Sequence, residues 1–98
     1  MNTEMNRNGD QLAMSVSGRL DTTTAPQLEK IVEAELEGVK DLVIDCEKLD
    51  YISSAGLRLL LKLQKKLNTV GSMKLIHVNE ANMEVFNITG FDQILTIE

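Results

Sequence analysis

The sequence predicts an α/β domain: a mixed sheet of four to five strands, opened by an N-terminal hairpin, with helices packed against it. Three observations carry that expectation. Apolar residues alternate at the strand period early in the chain and recur at the helical period in two later stretches. Turn residues separate the blocks. Strand and helix patterns then alternate to the last residue without a linker, repeat or low-complexity tract, so residues 1–98 read as one domain. An apolar share of 43% is ordinary for a chain with a packed core and too high for a disordered one.

Leu12, Met14 and Val16 alternate with Ala13, Ser15 and Ser17, the pattern of a strand with one buried face. Asn8-Gly9-Asp10 ahead of it is a turn signal, so residues from about Thr3 to Arg7 are expected to pair back as a hairpin. Thr24-Ala25-Pro26-Gln27 has capping-box spacing with proline in the first helical turn. Leu28, Ile31, Val32 and Leu36 continue it as an apolar stripe that Gly38 ends. Asp41 to Cys46 holds the unbroken run Leu42-Val43-Ile44, which predicts a central parallel strand covered on both faces. An apolar strand at Tyr51-Ile52 then hands over to a leucine-rich helix from Ser54 to about Asn68. Its core face is read as Leu57, Leu60, Leu61 and Leu67, widened by Leu59 and Leu63. Met73 to Val78 reads as a strand, and Asn79 as the cap of a short helix carrying Met83 and Phe86. Gly90 stops that helix, and Ile94 to Ile97 reads as a last strand.

Composition narrows the function. A formal charge of −5 argues against nucleic acid, whose phosphates need a basic surface. No apolar run reaches the roughly 20 residues of a membrane span, no signal peptide is recognisable, and a cytoplasmic location is expected. The single Cys46 lies in an apolar strand, suits a reducing compartment and reads as a small buried hydrophobe. No P-loop, nucleophile elbow, dinucleotide fingerprint or paired Cys/His spacing is present, so no cofactor, no metal and no catalytic residue are expected. The only histidine, His77, sits in an apolar strand, where a core or strand-end role outweighs that of a general base.

The informative stretch is Tyr51-Ile52-Ser53-Ser54-Ala55-Gly56-Leu57-Arg58. It places two hydroxyls and a glycine at the start of a helix, where backbone N–H groups favour negative charge. Ser54 can therefore carry a phosphate with little strain. One of Ser53 and Ser54 also serves as an N-cap. Gly56, costly inside a helix, points to a close backbone approach. Arg58 lies one turn from Ser54, within reach of a phosphate, while Lys62, Lys65 and Lys66 fall on the same polar flank, either solvated or facing an acidic partner. Asp21 and Thr22 occupy the other strand-to-helix loop, which can share an edge with the first.

At these two segments the chain resembles the STAS family, and within it the small bacterial anti-sigma factor antagonists. Gly18-Arg19-Leu20-Asp21 with Ala25-Pro26-Gln27-Leu28 is similar to the family's opening strand-to-helix passage, and Asp50 to Leu57 to its phosphorylation loop. The resemblance implies the STAS fold and a partner-switching protein that is not an enzyme. Unphosphorylated, such a protein binds an anti-sigma factor that is also a GHKL-type serine kinase and so frees the sigma factor. The kinase phosphorylates it and a PP2C-type phosphatase restores it. The alignment puts the acceptor at Ser54, and the partner surface at Asp21, Thr22, Ser53, Ser54, Ala55, Gly56 and Arg58. It also implies a monomer when free. Ser53 stands where many members have aspartate, Ala55 where many have a second hydroxyl, and the chain stops where many relatives add a helix. The alternatives from other classes are a STAS module of a transport or lipid-trafficking complex without a phosphoserine cycle, a small-ligand adaptor, and a serine hydrolase at Ser54.

Overall fold

The computed structural model describes all 98 residues. Its elements run β1 (Asn2–Asn8), β2 (Gln11–Leu20), α1 (Ala25–Glu35), β3 (Asp41–Asp45), β4 (Leu49–Ile52), α2 (Ser54–Asn68), β5 (Ser72–Ile76) and α3 (Glu80–Thr89), followed by one 3-10 turn at Phe91–Gln93. The five-stranded sheet is mixed, as expected. β1 pairs antiparallel with β2 through a turn at which Gly9 takes φ +66°, while β2, β3 and β5 lie side by side and parallel. The far end of β2 pairs in parallel with β4, with an irregularity between Gly18 and Arg19.

Register explains the core. Leu12, Leu42 and Met73 stand in one row across the sheet, and Met14, Ile44 and Leu75 in the next. All six are buried, in one apolar cluster with Leu28 and Val32 of α1, Leu60 and Leu63 of α2 and Phe86 of α3. The alternate rows, Ala13/Val43/Lys74 and Ser15/Asp45/Ile76, are half-buried or exposed. β3 is thus covered on one face only, contrary to the expectation from its apolar run. Three consecutive apolar residues mimic a two-sided strand, yet Val43 looks out onto the open face between Ala13 and Lys74.

Three further expectations need correction. The capping box at the start of α1 does not form: the Thr24 side chain makes no cap hydrogen bond, because its hydroxyl donates to the Arg19 carbonyl at 2.7 Å and accepts from the Asp21 N–H at 2.8 Å. In α2 the inward position expected of Leu61 belongs to Gln64, which is buried; Leu61 is half-buried. Gln64 is tolerated because both ends of its amide are used, Oε1 accepting from the Thr96 N–H at 3.1 Å and Nε2 donating to Asn68 at 2.9 Å. The last strand shrinks to a single bridge between Ile97 and Leu75, and residues 91–93 turn instead. The Leu75 N–H donates to the Thr96 carbonyl and the Glu98 N–H to the Leu75 carbonyl, so the segment still closes the free side of β5.

Candidate functional site

Both candidate loops leave the sheet at the same place. Leu20 and Ile52 are partners in the parallel pairing of β2 and β4, so Asp21 and Ser53, the next residues, depart from neighbouring strand ends. The Ser53 N–H then donates to the Leu20 carbonyl at 2.8 Å and ties the second loop to the first. Parallel pairing is what brings the two motifs together, and it could not be read from either motif alone.

The two serines take different roles. Ser53 is the N-cap of α2: its backbone is extended and its hydroxyl accepts from the Gly56 N–H at 3.4 Å. Ser54 is the first residue of the helix, and its side chain is exposed and free of hydrogen bonds to the protein. The N–H groups of Ser54 and Ala55 belong to the first turn and have no partner within the helix. A charged group on the Ser54 oxygen would therefore stand in water beside unsatisfied donors and the positive end of the helix dipole.

Gly56 carries the close approach that its position in the sequence predicts. A Cβ there would lie 2.9 Å from the Leu20 side chain, 2.9 Å from the Leu20 carbonyl oxygen and 3.0 Å from Ile52. No side chain fits, so glycine lets the first turn of α2 sit directly against the end of β2.

Asp21 holds the other loop. Its Oδ1 accepts from the Thr23 and Thr24 N–H groups, each at 3.0 Å, and from the Thr24 hydroxyl at 3.2 Å. The Thr24 N–H bond is the largest of the influences that keep its carboxyl below the usual aspartate range, with Thr23 and the Arg19 guanidinium adding to it. Arg19 lies 3.8 Å from the second carboxylate oxygen and 4.3 Å from the centre of the Tyr51 ring. Asp21 is thus the anchor of the loop that displays Thr22, which is exposed.

Thr22, Ala55 and Arg58 come together along a groove of about 400 Å³ between the N-terminal halves of α1 and α2, with Pro26, Glu29 and Lys62 on its walls. The basic flank of α2 divides here. Lys62 pairs with Glu29 and lies 4.0 Å from Glu33, and Lys66 lies 3.9 Å from Glu33. The hydrogen bond that Lys62 donates to the Glu29 carboxylate holds its ammonium above its ordinary range. Arg58 makes no ion pair and is exposed. It is the unpaired cation at the mouth of the groove.

Two other reactive side chains lie elsewhere. Cys46 is 1% exposed, and burial, with Asp45 next to it, pushes its thiol up to about 12. His77 is not in the strand but just past the end of β5, exposed, with φ +56° and Nδ1 3.1 Å from Asp45 Oδ1. Neither stands with Ser54 as base or orienting group, so the serine has no triad around it.

The chain is similar to known proteins in sequence and in fold. The STAS domain pattern matches residues 2–98. The chain is 35% identical over 99 residues to BtrV of Bordetella bronchiseptica, covering 99% of this chain and 85% of that one. It is 32% identical over 101 residues to the anti-sigma-B factor antagonist of Bacillus subtilis, covering 99% and 90%. Among solved structures, an anti-sigma factor antagonist from Mycobacterium paratuberculosis superposes with a TM-score of 0.86 at 27% identity, over 98% of this chain and 83% of that one.

Proposed function

The chain belongs to the STAS domain family, and from that premise we propose that it is an anti-sigma factor antagonist switched by phosphorylation of Ser54. It acts by binding, not by catalysis. The observation that carries the reading is the division of labour between the serines: Ser53 is spent on the helix cap, while Ser54 is exposed and unengaged at the first helical position. A kinase can reach the Ser54 hydroxyl without opening the fold.

The switch follows from electrostatics. A phosphate adds about −1.5 to −2 charge near neutral pH. In the free protein that charge is solvated and lies at a helix start, one turn from Arg58. Inside an interface it must give up water and meet any acidic or phosphate groups of the partner. Turning a mostly bound complex into a mostly free one takes on the order of 3–5 kcal/mol, a plausible scale for one desolvated dianion. The partner is an anti-sigma factor that doubles as a GHKL-type serine kinase, with a PP2C-type phosphatase resetting the switch. It contacts Ser54 and the adjoining groove edge formed by Thr22, Ala55 and Arg58, with Asp21, Ser53 and Gly56 shaping the surface from beneath.

The test is calorimetric titration of the cognate anti-sigma factor with three forms of the protein. Unmodified protein and Ser54→Ala bind alike, whereas Ser54→Asp binds at least tenfold more weakly, about 1.4 kcal/mol. Equal affinity for all three would refute the switch and leave a STAS module that acts by contact alone, as in a transport complex.

A further inference from the structure

On the opposite side of β2 from the α1–α2 groove's helices, the open face of the sheet gathers three metal-ligating side chains that the sequence keeps far apart. Asp45 ends β3, Glu47 follows two residues later in the turn, and His77 follows β5. The parallel register sets Asp45 opposite Ile76, so His77 emerges beside the two carboxylates. One donor atom from each lies within 4.8 Å of the others, and His77 Nδ1 is already 3.1 Å from Asp45 Oδ1. The Glu47 N–H, at 2.9 Å from the same Asp45 oxygen, fixes the carboxylate from behind. Asp45 and Glu47 line a polar hollow of about 400 Å³, whose wall adds Glu4, Ser15, Ser17 and Lys48. Glu4 and Asp45 both flank Ser15 in the pairing, so they share one row of the open face.

We propose that Asp45, Glu47 and His77 form a binding site for a single divalent transition-metal ion of the zinc class. Three features fit that ion. Imidazole with carboxylates selects zinc, cobalt or nickel over calcium or magnesium, which prefer oxygen alone. Ligands of a tetrahedral zinc ion stand roughly 3.5 Å apart, so only small side-chain adjustments gather the three donors. Three protein ligands leave a coordination position for water or for a group entering the hollow. Binding needs the Nδ1 lone pair, so His77 binds the ion as its Nε2–H tautomer, and the Asp45 oxygen exchanges its contact with Nδ1 for the metal. The site is independent of the Ser54 switch, since none of its residues belongs to the two loops.

Titration of the tag-free, full-length protein with Co²⁺, followed by visible absorption and by competition with Zn²⁺, tests the proposal. Saturation is expected at one equivalent, with the imidazole resonances of the only histidine perturbed in step. His77→Asn is the informative variant, because asparagine tolerates a left-handed backbone and circular dichroism reports whether the turn survives. It should lose at least roughly tenfold in affinity, Glu47→Gln several-fold, and Ser54→Ala nothing. Binding that is indifferent to His77→Asn, that needs several equivalents, or that fails to saturate by about 1 mM (a gain near 4 kcal/mol) marks adventitious ion binding only and overturns the site.

Discussion

Replacing Gly56 by alanine tests how the start of α2 is built against β2. On an exposed helix the change would stabilise, by about 1 kcal/mol. Here the new Cβ meets Leu20 and Ile52 at 2.9–3.0 Å, and one of the atoms it meets is the Leu20 carbonyl oxygen, which cannot rotate away. Overpacking of this kind costs about 1–3 kcal/mol. Relief requires α2 to lift from β2, which strains the bond from the Ser53 N–H to that same oxygen, a contribution of about 1 kcal/mol. Net destabilisation of about 1–3 kcal/mol follows. For a domain of this size that lowers Tm by about 4–8 °C for each kcal/mol. Urea unfolding followed by far-ultraviolet circular dichroism measures it. A Gly56→Ala protein as stable as the parent, or more so, would refute the close approach and with it the reason for glycine at this position.

Four other perturbations probe the same edge. Ser53→Ala removes the α2 cap and should cost about 0.5–2 kcal/mol, whereas Ser54→Ala, at an exposed position without hydrogen bonds, should stay within about 0.5 kcal/mol; chemical denaturation of both separates the two roles. Asp21→Ala should destabilise the α1 loop in a pH-dependent way. Its carboxyl titrates below the ordinary value of 3.8 in the folded protein, so its contribution is complete above that value and is lost as pH falls through the folded pKa. The stability gap between parent and variant, measured by urea unfolding at stepped pH, should narrow below pH 3.8 and stay constant near neutrality. A double-mutant cycle on Lys62 and Glu29 should yield less than about 1 kcal/mol, since the pair is solvent-exposed and screened.

How much of this was legible in the sequence depended on whether a feature was local. The hairpin at Asn8-Gly9-Asp10, the glycine approach at Gly56 and the helix cap at Asn79 are encoded within a few residues, and all are present; the α2 cap, open between Ser53 and Ser54 in the sequence, falls to Ser53. Asn79 and Asn82 both donate to the Leu49 carbonyl, at 2.9 and 2.8 Å, which no pattern in the chain announces. Threonine at position 24 matched a capping box by spacing, but its hydroxyl is taken up by the Arg19 carbonyl and the Asp21 N–H, and its own N–H donates to the Asp21 carboxylate. β4 was visible only as the run-up to Ser53, because four residues with both ends buried and the middle exposed give neither period. The open face of β3 and the meeting of Asp45 with His77 depend on register across 32 residues of chain, which a single sequence does not carry. The sequence grouped these residues as one candidate surface, and the fold gives them different places in it: Ser53 and Gly56 build the edge, Asp21 anchors the neighbouring loop, and Ser54 and Arg58 are left free.

The proposed mechanism makes the free hydroxyl of Ser54 the phosphorylated position. Intact mass of the protein recovered from its native host, followed by fragmentation of any modified form, tests it most directly. One added phosphate is expected, placed on Ser54 and absent from Ser54→Ala. A phosphate on Ser53 or on the threonines of the Asp21 loop, or full modification of Ser54→Ala, would contradict it.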